Sequence, residues 1–223
     1  MLSLSRNQIR QVDADAITEL GLPSLLLMEN AARGVCSAVI AGGPWQSLTI
    51  LCGPGNNGGD GLAVARLLAA SGIIASTLLI RGGKNLSADA EANLGFLTKA
   101  GLSVELPDTV EIAGKLAELG QTDLIIDALL GTGVRGDVVD PFAAIIGAIN
   151  QSGAKVISID VPSGLDCDLG TPCGVAVRAH RTVTFVAIKE GFLMPGASEY
   201  TGIVEICHIG IPQCWLDQWC GRR

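Results

Sequence analysis

A glycine-rich stretch with two asparagines and an aspartate, GPGNNGGDG, occupies residues 53–61. Its first six residues match G-x-G-x-x-G between an apolar run and a helix-forming segment, the context of a dinucleotide-binding loop. Backbone N–H groups and a helix N-terminus at such a loop attract phosphate. The acidic residue that this fingerprint carries about 20 positions further on is missing, because the next apolar run is followed by Arg81 and Lys84. An ordinary NAD-dehydrogenase site is therefore disfavoured.

The same stretch also has a simpler interpretation, a tight strand-to-helix turn in which Asp60 caps the helix. It is not a P-loop, because no Lys-Ser/Thr pair follows it. Asn56, Asn57 and Asp60 are nevertheless more polar than a turn requires. Their side-chain oxygens indicate a ligand or a cation.

Two more aspartates end apolar runs. Asp127 precedes the glycine-rich segment 131–137, and Asp160 is followed closely by Ser163. A carboxylate that emerges from an apolar run costs free energy unless it is paired or coordinated. Asp127 could be only a buried cap of the next loop. We expect Asp127, Asp160 and Ser163 to face one crevice with Asn57, and a set of oxygen donors suits a hard cation rather than zinc.

Lys189 follows the apolar run 182–188, in which no other charge occurs. A lysine at a strand end is often simply solvated. If it faces the crevice, it can pair with Asp160 or with a substrate phosphate.

The elements that must position these side chains follow from short apolar runs that end near glycine clusters, alternating with segments of helical spacing. This alternation predicts a mostly parallel, doubly wound sheet in a three-layer α/β/α architecture. The predicted strands are 48–52, 76–80, 123–127, 155–160, 182–188 and 202–209. The predicted helices are 62–71, 88–100, 110–119 and 141–151, with two extra helices before the first strand, about Ser5–Thr18 and Pro23–Ile40. In open α/β sheets ligands bind beyond the carboxyl ends of the strands, where the glycine clusters fall.

Composition sets the class of protein. The chain has 223 residues, 48% of them hydrophobic, which predicts one folded domain rather than a disordered segment. A net charge of −7 argues against nucleic-acid binding. The seven cysteines include no C-x-x-C pair, so we expect no zinc site. The N-terminal segment becomes polar too early for a secretory signal, so none is expected. No run approaches the ~18 consecutive apolar residues of a membrane span, so we expect a cytoplasmic protein without a membrane partner.

Five segments together resemble the NAD(P)H-hydrate epimerase family, also called the YjeF N-terminal domain. They are MENAARG (28–34), GPGNNGGDG (53–61), DALLGTGVRGD (127–137), IDVPSGLDCDLG (159–170) and TVTFVAIKEGF (182–192). The resemblance implies a Rossmann-like fold, a homodimer, and interconversion of the R and S forms of hydrated NADH or NADPH. A separate ADP- or ATP-dependent dehydratase would then repair the S form.

The resemblance also implies the site residues. Substrate contacts are implied for Asn56, Asn57, Gly58, Gly59, Asp60, Gly131, Thr132, Gly133, Val134, Arg135, Gly136, Asp137 and Asp160. A potassium ion is implied at Asn57, Asp127 and Ser163, in agreement with the predicted oxygen cluster, although spacing alone does not choose potassium. The family pattern extends over residues 1–212, and the tail 213–223 matches no part of it; Trp215 and Trp219 in that tail could pack on the body or on a partner.

Epimerisation at a carbon that bears a hydroxyl and a ring nitrogen needs a proton delivered and recovered. We expect Asp160 to move that proton and Lys189 to be its electrostatic partner. Two alternatives remain: a catalytically silent dimeric module of the same fold that binds nucleotides or partners, and an NAD-linked oxidoreductase.

Overall fold

The computed structural model describes residues 2–222, which form eight strands, eight α-helices and one 3-10 helix. In chain order the elements are β1 (Ser3–Leu4), α1 (Arg6–Glu19), α2 (Ser24–Gly42), β2 (Leu48–Cys52), α3 (Asn56–Ala70), β3 (Ser76–Leu79), α4 (Ala88–Lys99), α5 (Thr109–Ala117), β4 (Leu124–Ala128), α6 (Phe142–Gln151), β5 (Lys155–Ile159), β6 (Arg181–Phe185), β7 (Ile188–Lys189), the 3-10 helix Glu190–Leu193, α7 (Ser198–Thr201), β8 (Ile203–Cys207) and α8 (Gln213–Gly221).

Six strands form a fully parallel sheet in the order β3-β2-β4-β5-β6-β8, which confirms the predicted α/β fold. From β2 the chain moves to β3 on one side, and β4 then pairs with the other side of β2. The order of the strands therefore reverses at β2 and β4. A crevice opens between the loops that follow two such strands, because the connections leave in opposite directions.

The sheet is covered on both faces. Every residue of β2 and of β4 is buried, as expected for parallel strands between two helical layers. One large apolar cluster combines side chains of α2, α3 and the sheet, and a second combines side chains of α5, α6 and the sheet. The three-layer architecture follows from these two clusters.

The predicted strand 182–188 is wrong in one respect, because it is two strands. β6 ends at Phe185, and Val186 has a φ of +67°, which turns the chain out of the sheet. Ile188 and Lys189 then pair with Ser3 and Leu4 in a separate two-stranded sheet. The small strand β1 was not predicted, because two residues carry no periodicity.

The boundary of α3 also differs from the prediction. The helix begins at Asn56 instead of 62, so the polar residues of the glycine-rich stretch form its first turns. A Cβ on Gly58 would lie 1.8 Å from the Gly53 carbonyl oxygen, so only glycine lets the helix start this close to β2. The proposed capping role of Asp60 is wrong, because the N-cap is Gly55.

The remaining helices lie near their predicted positions, and the two N-terminal helices are present. Ser5 caps α1 in a reciprocal capping box with Gln8. The tail is also helical: Leu216 and Trp219 of α8 are buried in the main apolar cluster. The Trp219 Nε1 donates to the Asp15 carboxylate at 2.7 Å, which attaches the tail to α1.

Helix α2 is long and apolar enough, by length and composition, to cross a membrane, and 44% of its 18-residue window is buried in the fold. Core helices pass the same test. Its buried residues include Met28, Ala32 and Val35, which pack in the main apolar cluster or line the neighbouring cavity.

Candidate functional site

A cavity of about 890 Å³ lies at the carboxyl edge of the sheet, where the strand order reverses. Its walls come from the start of α3, from the loop after β4, from Asp160 at the end of β5, and from α1. This volume is in the range of small-molecule sites, and the position is the one that the topology predicts for a ligand.

The structure brings most of the predicted site residues to this cavity. Those that line it are Asn56, Asn57, Asp60, Gly131, Thr132, Gly133, Val134, Arg135, Asp137 and Asp160. Gly58, Gly59 and Gly136 do not line it: Gly58 packs on the backbone of Gly53, Gly59 packs on Met28, and Gly136 forms a turn with a φ of +68°. Three further predicted residues, Asp127, Ser163 and Lys189, are fully buried outside the lining.

Asp127 holds a small buried network of oxygens. Its carboxylate accepts hydrogen bonds from the Ser163 hydroxyl at 2.5 Å, the Ser163 amide at 2.9 Å and the Ser158 hydroxyl at 2.8 Å. Burial raises the pKa of Asp127, and the hydrogen bonds from Ser163 and Ser158 oppose that rise. Within residues 2–222 no cationic side chain pairs with this carboxylate.

Asn57 and Ser163 meet at Leu130, which places all three predicted cation ligands in one region. The Asn57 Nδ2 donates to the Leu130 carbonyl at 3.0 Å, and the Leu130 amide donates to the Ser163 hydroxyl at 2.8 Å. The Asn57 Oδ1 is buried and has no hydrogen-bond partner in the described chain. An orphaned buried oxygen next to an uncompensated carboxylate fits a cation held by oxygen ligands.

Asp160 and Lys189 form the second feature of the site. The Lys189 Nζ lies 2.6 Å from the Asp160 Oδ1 and also donates to the Phe185 carbonyl at 3.0 Å. The lysine side chain is 0% exposed, whereas the Asp160 side chain is 16% exposed and lines the cavity. The interpretation of Lys189 as a solvated strand-end residue is wrong.

The backbone of Asp160 is adapted to this contact. It has a φ of +63°, a left-handed conformation that a non-glycine residue rarely adopts, and its amide donates to the Val183 carbonyl at 2.8 Å. The Phe185 amide and the Thr184 hydroxyl lie 3.3 Å from its Oδ1. The carboxylate is thereby turned into the cavity, with the ammonium buried behind it.

Asp13 is a cavity residue that sequence reasoning missed. Burial raises its pKa to about 6; the negative charge of Asp160 adds to the rise, and Lys189 opposes it. Burial also raises the pKa of Asp60 well above its usual value, and Asp160, Asp13 and Asp89 add to the effect. Asp13 shares a helical face with Ile9 and Ile17 at four-residue spacing, and a carboxylate on an apolar face is the signal that could have found it.

Basic side chains border the same space. Arg10, Lys84 and Arg135 line the cavity, whereas Arg81 does not. A cavity lined by both carboxyls and cationic side chains suits a ligand that combines phosphates with a polar ring.

The fold and the site define a doubly wound α/β protein whose polar pocket lies at the point where the strand order reverses. The model of the YjeF-related protein N-terminus matches residues 24–191. This chain belongs to that family. The match does not include α1 or α8.

Curated relatives align over almost the whole chain. The NAD(P)H-hydrate epimerase of Pirellula staleyi is 36% identical over 214 residues, covering 96% of this chain and 94% of that protein. The bifunctional NAD(P)H-hydrate repair enzyme Nnr of Thermofilum pendens is 39% identical over 212 residues, covering 95% of this chain but only 40% of that protein. The chain thus has about the length of the single-function relative and spans less than half of the bifunctional one.

Among solved structures, that of the yeast protein ynu0 (YNL200c) superposes with a TM-score of 0.80. The alignment covers 98% of this chain and 93% of the yeast protein at 21% identity. At 21% identity, this structural similarity supports the assignment of the fold alone.

Proposed function

We propose that this chain is an NAD(P)H-hydrate epimerase, which interconverts the R and S forms of hydrated NADH and NADPH. The observation that carries the proposal is the Asp160–Lys189 ion pair, which presents one carboxylate to a nucleotide-sized cavity with a buried ammonium behind it. Relatives of matching length that bear this name support the substrate and the reaction.

The chemistry requires little more than proton transfer. The reacting carbon carries a hydroxyl group and the ring nitrogen, so inversion needs no C–H cleavage. Loss and re-addition of water, or opening and reclosing of the ring, would each suffice. Either route needs a group that gives and takes a proton at the hydroxyl, and a positioned carboxylate contributes about 10²–10⁴-fold. Asp160 is that group, and Lys189 holds it in position.

Binding energy comes from the rest of the cavity. The N-terminus of α3 and the loop 131–137 present backbone N–H groups to phosphates, and Arg135 adds a positive charge. Asn57, Asp127 and Ser163 would hold a potassium ion, which would supply positive charge to this part of the site. Contacts remote from the ring orient the reacting carbon toward Asp160.

Two features favour an enzyme over a silent interaction module. A fully buried lysine costs folding free energy, and a module has no use for its pairing with a cavity carboxylate. The buried Oδ1 of Asn57, which has no hydrogen-bond partner in the described chain, also costs folding free energy. An oxidoreductase is less compatible, because the acidic residue of the dinucleotide fingerprint is absent.

The test follows R/S exchange of hydrated NADPH by chromatography, with and without potassium. Asp160→Asn should abolish the enzyme-catalysed exchange and leave nucleotide affinity nearly unchanged. The exposed Asp217→Asn in α8 is the matched control and should exchange normally. Normal exchange in the Asp160 variant would refute the assignment.

A thermal shift separates the enzyme from the module. Hydrated NADPH with potassium should raise the melting temperature, because a ligand that binds only the native state stabilises it. No shift with either ligand, together with no exchange, would favour the silent module. Hydride transfer seen in nicotinamide absorbance would favour the oxidoreductase.

Three expectations remain predictions from the sequence: the homodimer, the cytoplasmic location and the absence of nucleic-acid or membrane partners. The functional partner would be a dehydratase that consumes the S form. The bifunctional relatives support a linkage of that kind in some species.

A further inference from the structure

We propose that Asp13 is a second acid–base residue of the site, which protonates the leaving hydroxyl group, whereas Asp160 takes a proton from the water that adds. This inference rests on the proposed epimerase function and adds a group from outside the span that the family model matches. Asp13 lies on α1, an element that packs over the cavity without belonging to the doubly wound unit.

Helix α1 is attached to the same small sheet that carries Lys189. Leu4 of β1 pairs with Lys189 of β7, and Ser5 then caps α1, so the strand that carries Lys189 also holds the start of the Asp13 helix. Ile9, Asp13 and Ile17 all line the cavity, four residues apart on one face of α1. The small sheet thus links the ion pair to the helix that presents Asp13.

A second set of contacts fixes the same helix rigidly. The buried guanidinium of Arg6 forms an ion pair with Asp166 at 2.9 Å, and the Arg6 amide donates to the Asp168 carboxylate at 2.6 Å. These bonds connect α1 to a loop more than 150 residues away in sequence. A helix held in this way can keep a side chain in a defined position over the substrate.

The carboxyl side chains of Asp13 and Asp60 both line the cavity. Within residues 2–222, the side chains of Asp13 and Asp60 form no hydrogen bond or ion pair. Asp60 is only 9% exposed, yet it lines the cavity. Because neither carboxyl is engaged by another side chain of the described chain, both are available to a ligand in the cavity.

The three cavity acids, Asp13, Asp60 and Asp160, differ in their electrostatic surroundings and therefore in the roles that they can take. Asp160 is ion-paired with Lys189 and therefore enters the reaction as a carboxylate. Burial raises the pKa of Asp60 well above its usual value, and the charges of Asp160, Asp13 and Asp89 add to the rise, which favours the neutral carboxyl there. Asp13, whose burial raises its pKa to about 6, is the carboxyl that can lose and regain a proton near neutral pH.

On the dehydration route, the reaction begins at the C6 hydroxyl group of the substrate. Neutral Asp13 protonates the C6 hydroxyl, the C6–O bond breaks to release water, and the lone pair of the ring nitrogen forms a C=N double bond. Water then adds to the opposite face of C6, the electron pair returns to nitrogen, and the Asp160 carboxylate takes the proton. One water leaves, one enters and no electron is lost. The net change in the protein is that Asp13 has lost a proton and Asp160 has gained one, and proton exchange of both carboxyls with water restores them before the next turnover.

The test compares Asp13→Asn with Asp15→Asn on the same helix. Asp15 does not line the cavity, and an asparagine there keeps an acceptor for Trp219. We expect Asp13→Asn to lower kcat about 10²-fold or more while KM changes little. The control should keep the wild-type kcat. Equal kcat in both variants would overturn the inference.

A pH profile of the unmodified enzyme gives a test that needs no variant. After subtraction of the spontaneous reaction, kcat should fall as the pH rises through about 6, where Asp13 loses its proton. Asp13→Asn should remove that dependence. The charged groups that face Asp13 across the cavity or next to it are Arg10, Asp60, Lys84, Asp89, Arg135, Asp137 and Asp160, with Lys189 behind them.

The outcomes separate this inference from the function on which it rests. If the wild-type protein does not accelerate R/S exchange, the proposed function fails. If it accelerates exchange but kcat is flat between about pH 5 and 8, or Asp13→Asn retains it, the role of Asp13 alone is refuted.

Discussion

The Asp160–Lys189 ion pair predicts an asymmetric double-mutant cycle in folding stability. Asp160→Asn leaves the fully buried ammonium of Lys189 with the Phe185 carbonyl and an amide oxygen as its only partners among residues 2–222. Loss of one member of a buried pair costs about 3–5 kcal/mol. Because asparagine still accepts a hydrogen bond and tolerates the left-handed backbone, we expect the lower end of this range, about 3 kcal/mol.

Lys189→Met should cost less. The Asp160 carboxylate that remains is 16% exposed to the cavity, so water can solvate it, and the Phe185 amide and the Thr184 hydroxyl still lie 3.3 Å away. We expect a loss of about 1–2 kcal/mol, the cost of an imperfectly satisfied polar group. The double variant removes both charges, so its loss should fall short of the sum by about 1–3 kcal/mol.

Urea unfolding of the four proteins measures the cycle, provided that the m-value stays constant. The exposed pair Lys115–Glu105 is a matched control, with both side chains more than 40% exposed. The cycle of Lys115→Met with Glu105→Gln should give a coupling below about 1 kcal/mol. Additive losses at the Asp160–Lys189 pair, or a larger loss in Lys189→Met than in Asp160→Asn, would contradict the buried-pair description.

Three further predictions concern other parts of the site and its support. The pKa of Asp13 is raised from 3.8 to about 6 in the fold, so its contribution to stability is present below about pH 4 and is lost as the pH rises to about 6. Asp13→Asn should therefore raise the free energy of unfolding at pH 8 by about 1–3 kcal/mol and change it little at pH 4, and a lower stability at pH 8 would contradict the raised pKa. Gly58→Ala places a Cβ 1.8 Å from the Gly53 carbonyl oxygen and should cost about 1–3 kcal/mol and weaken nucleotide affinity in a titration, whereas unchanged affinity would separate this turn from the binding site. Trp219→Ala empties a buried position and removes the hydrogen bond that Trp219 donates to Asp15, so it should cost about 3–5 kcal/mol in urea unfolding. A loss below about 1 kcal/mol would show that α8 adds little to the fold.

The positions of the strand-end acids could be predicted from the sequence because a parallel sheet imposes them. Asp127 and Asp160 end buried strands that are neighbours in the sheet, and the carboxyl ends of parallel strands lie on one edge. A local pattern was therefore enough to bring them together. Asn57 followed from the same rule, although its place inside the first turn of α3 did not.

Asp13 and the burial of Lys189 could not be predicted from such local rules, although the pairing of Lys189 with Asp160 was one of the predicted alternatives. Asp13 reaches the cavity only because β1 pairs with β7, a contact between residues 3–4 and 188–189 that no periodicity encodes. Lys189 is buried because the chain leaves the main sheet at Val186, and a single apolar run gave no sign of that turn. Long-range pairing of very short strands is the part of the fold that sequence patterns describe least.

The strained backbone around the ion pair argues that the pair is functional. Asp160 and Val186 are the two non-glycine residues with positive φ among the described residues, at +63° and +67°. Aspartate adopts this conformation at a small cost, but for a β-branched valine it is a genuine outlier, and such residues cost about 1–3 kcal/mol. The turn at Val186 carries Lys189 back under Phe185, and the turn at Asp160 points its carboxylate at the same ammonium. An apolar pair at these two positions would avoid the cost of burying two charges, so stability alone does not explain the ion pair. We attribute the strained backbone to the need for a fixed carboxylate in the cavity.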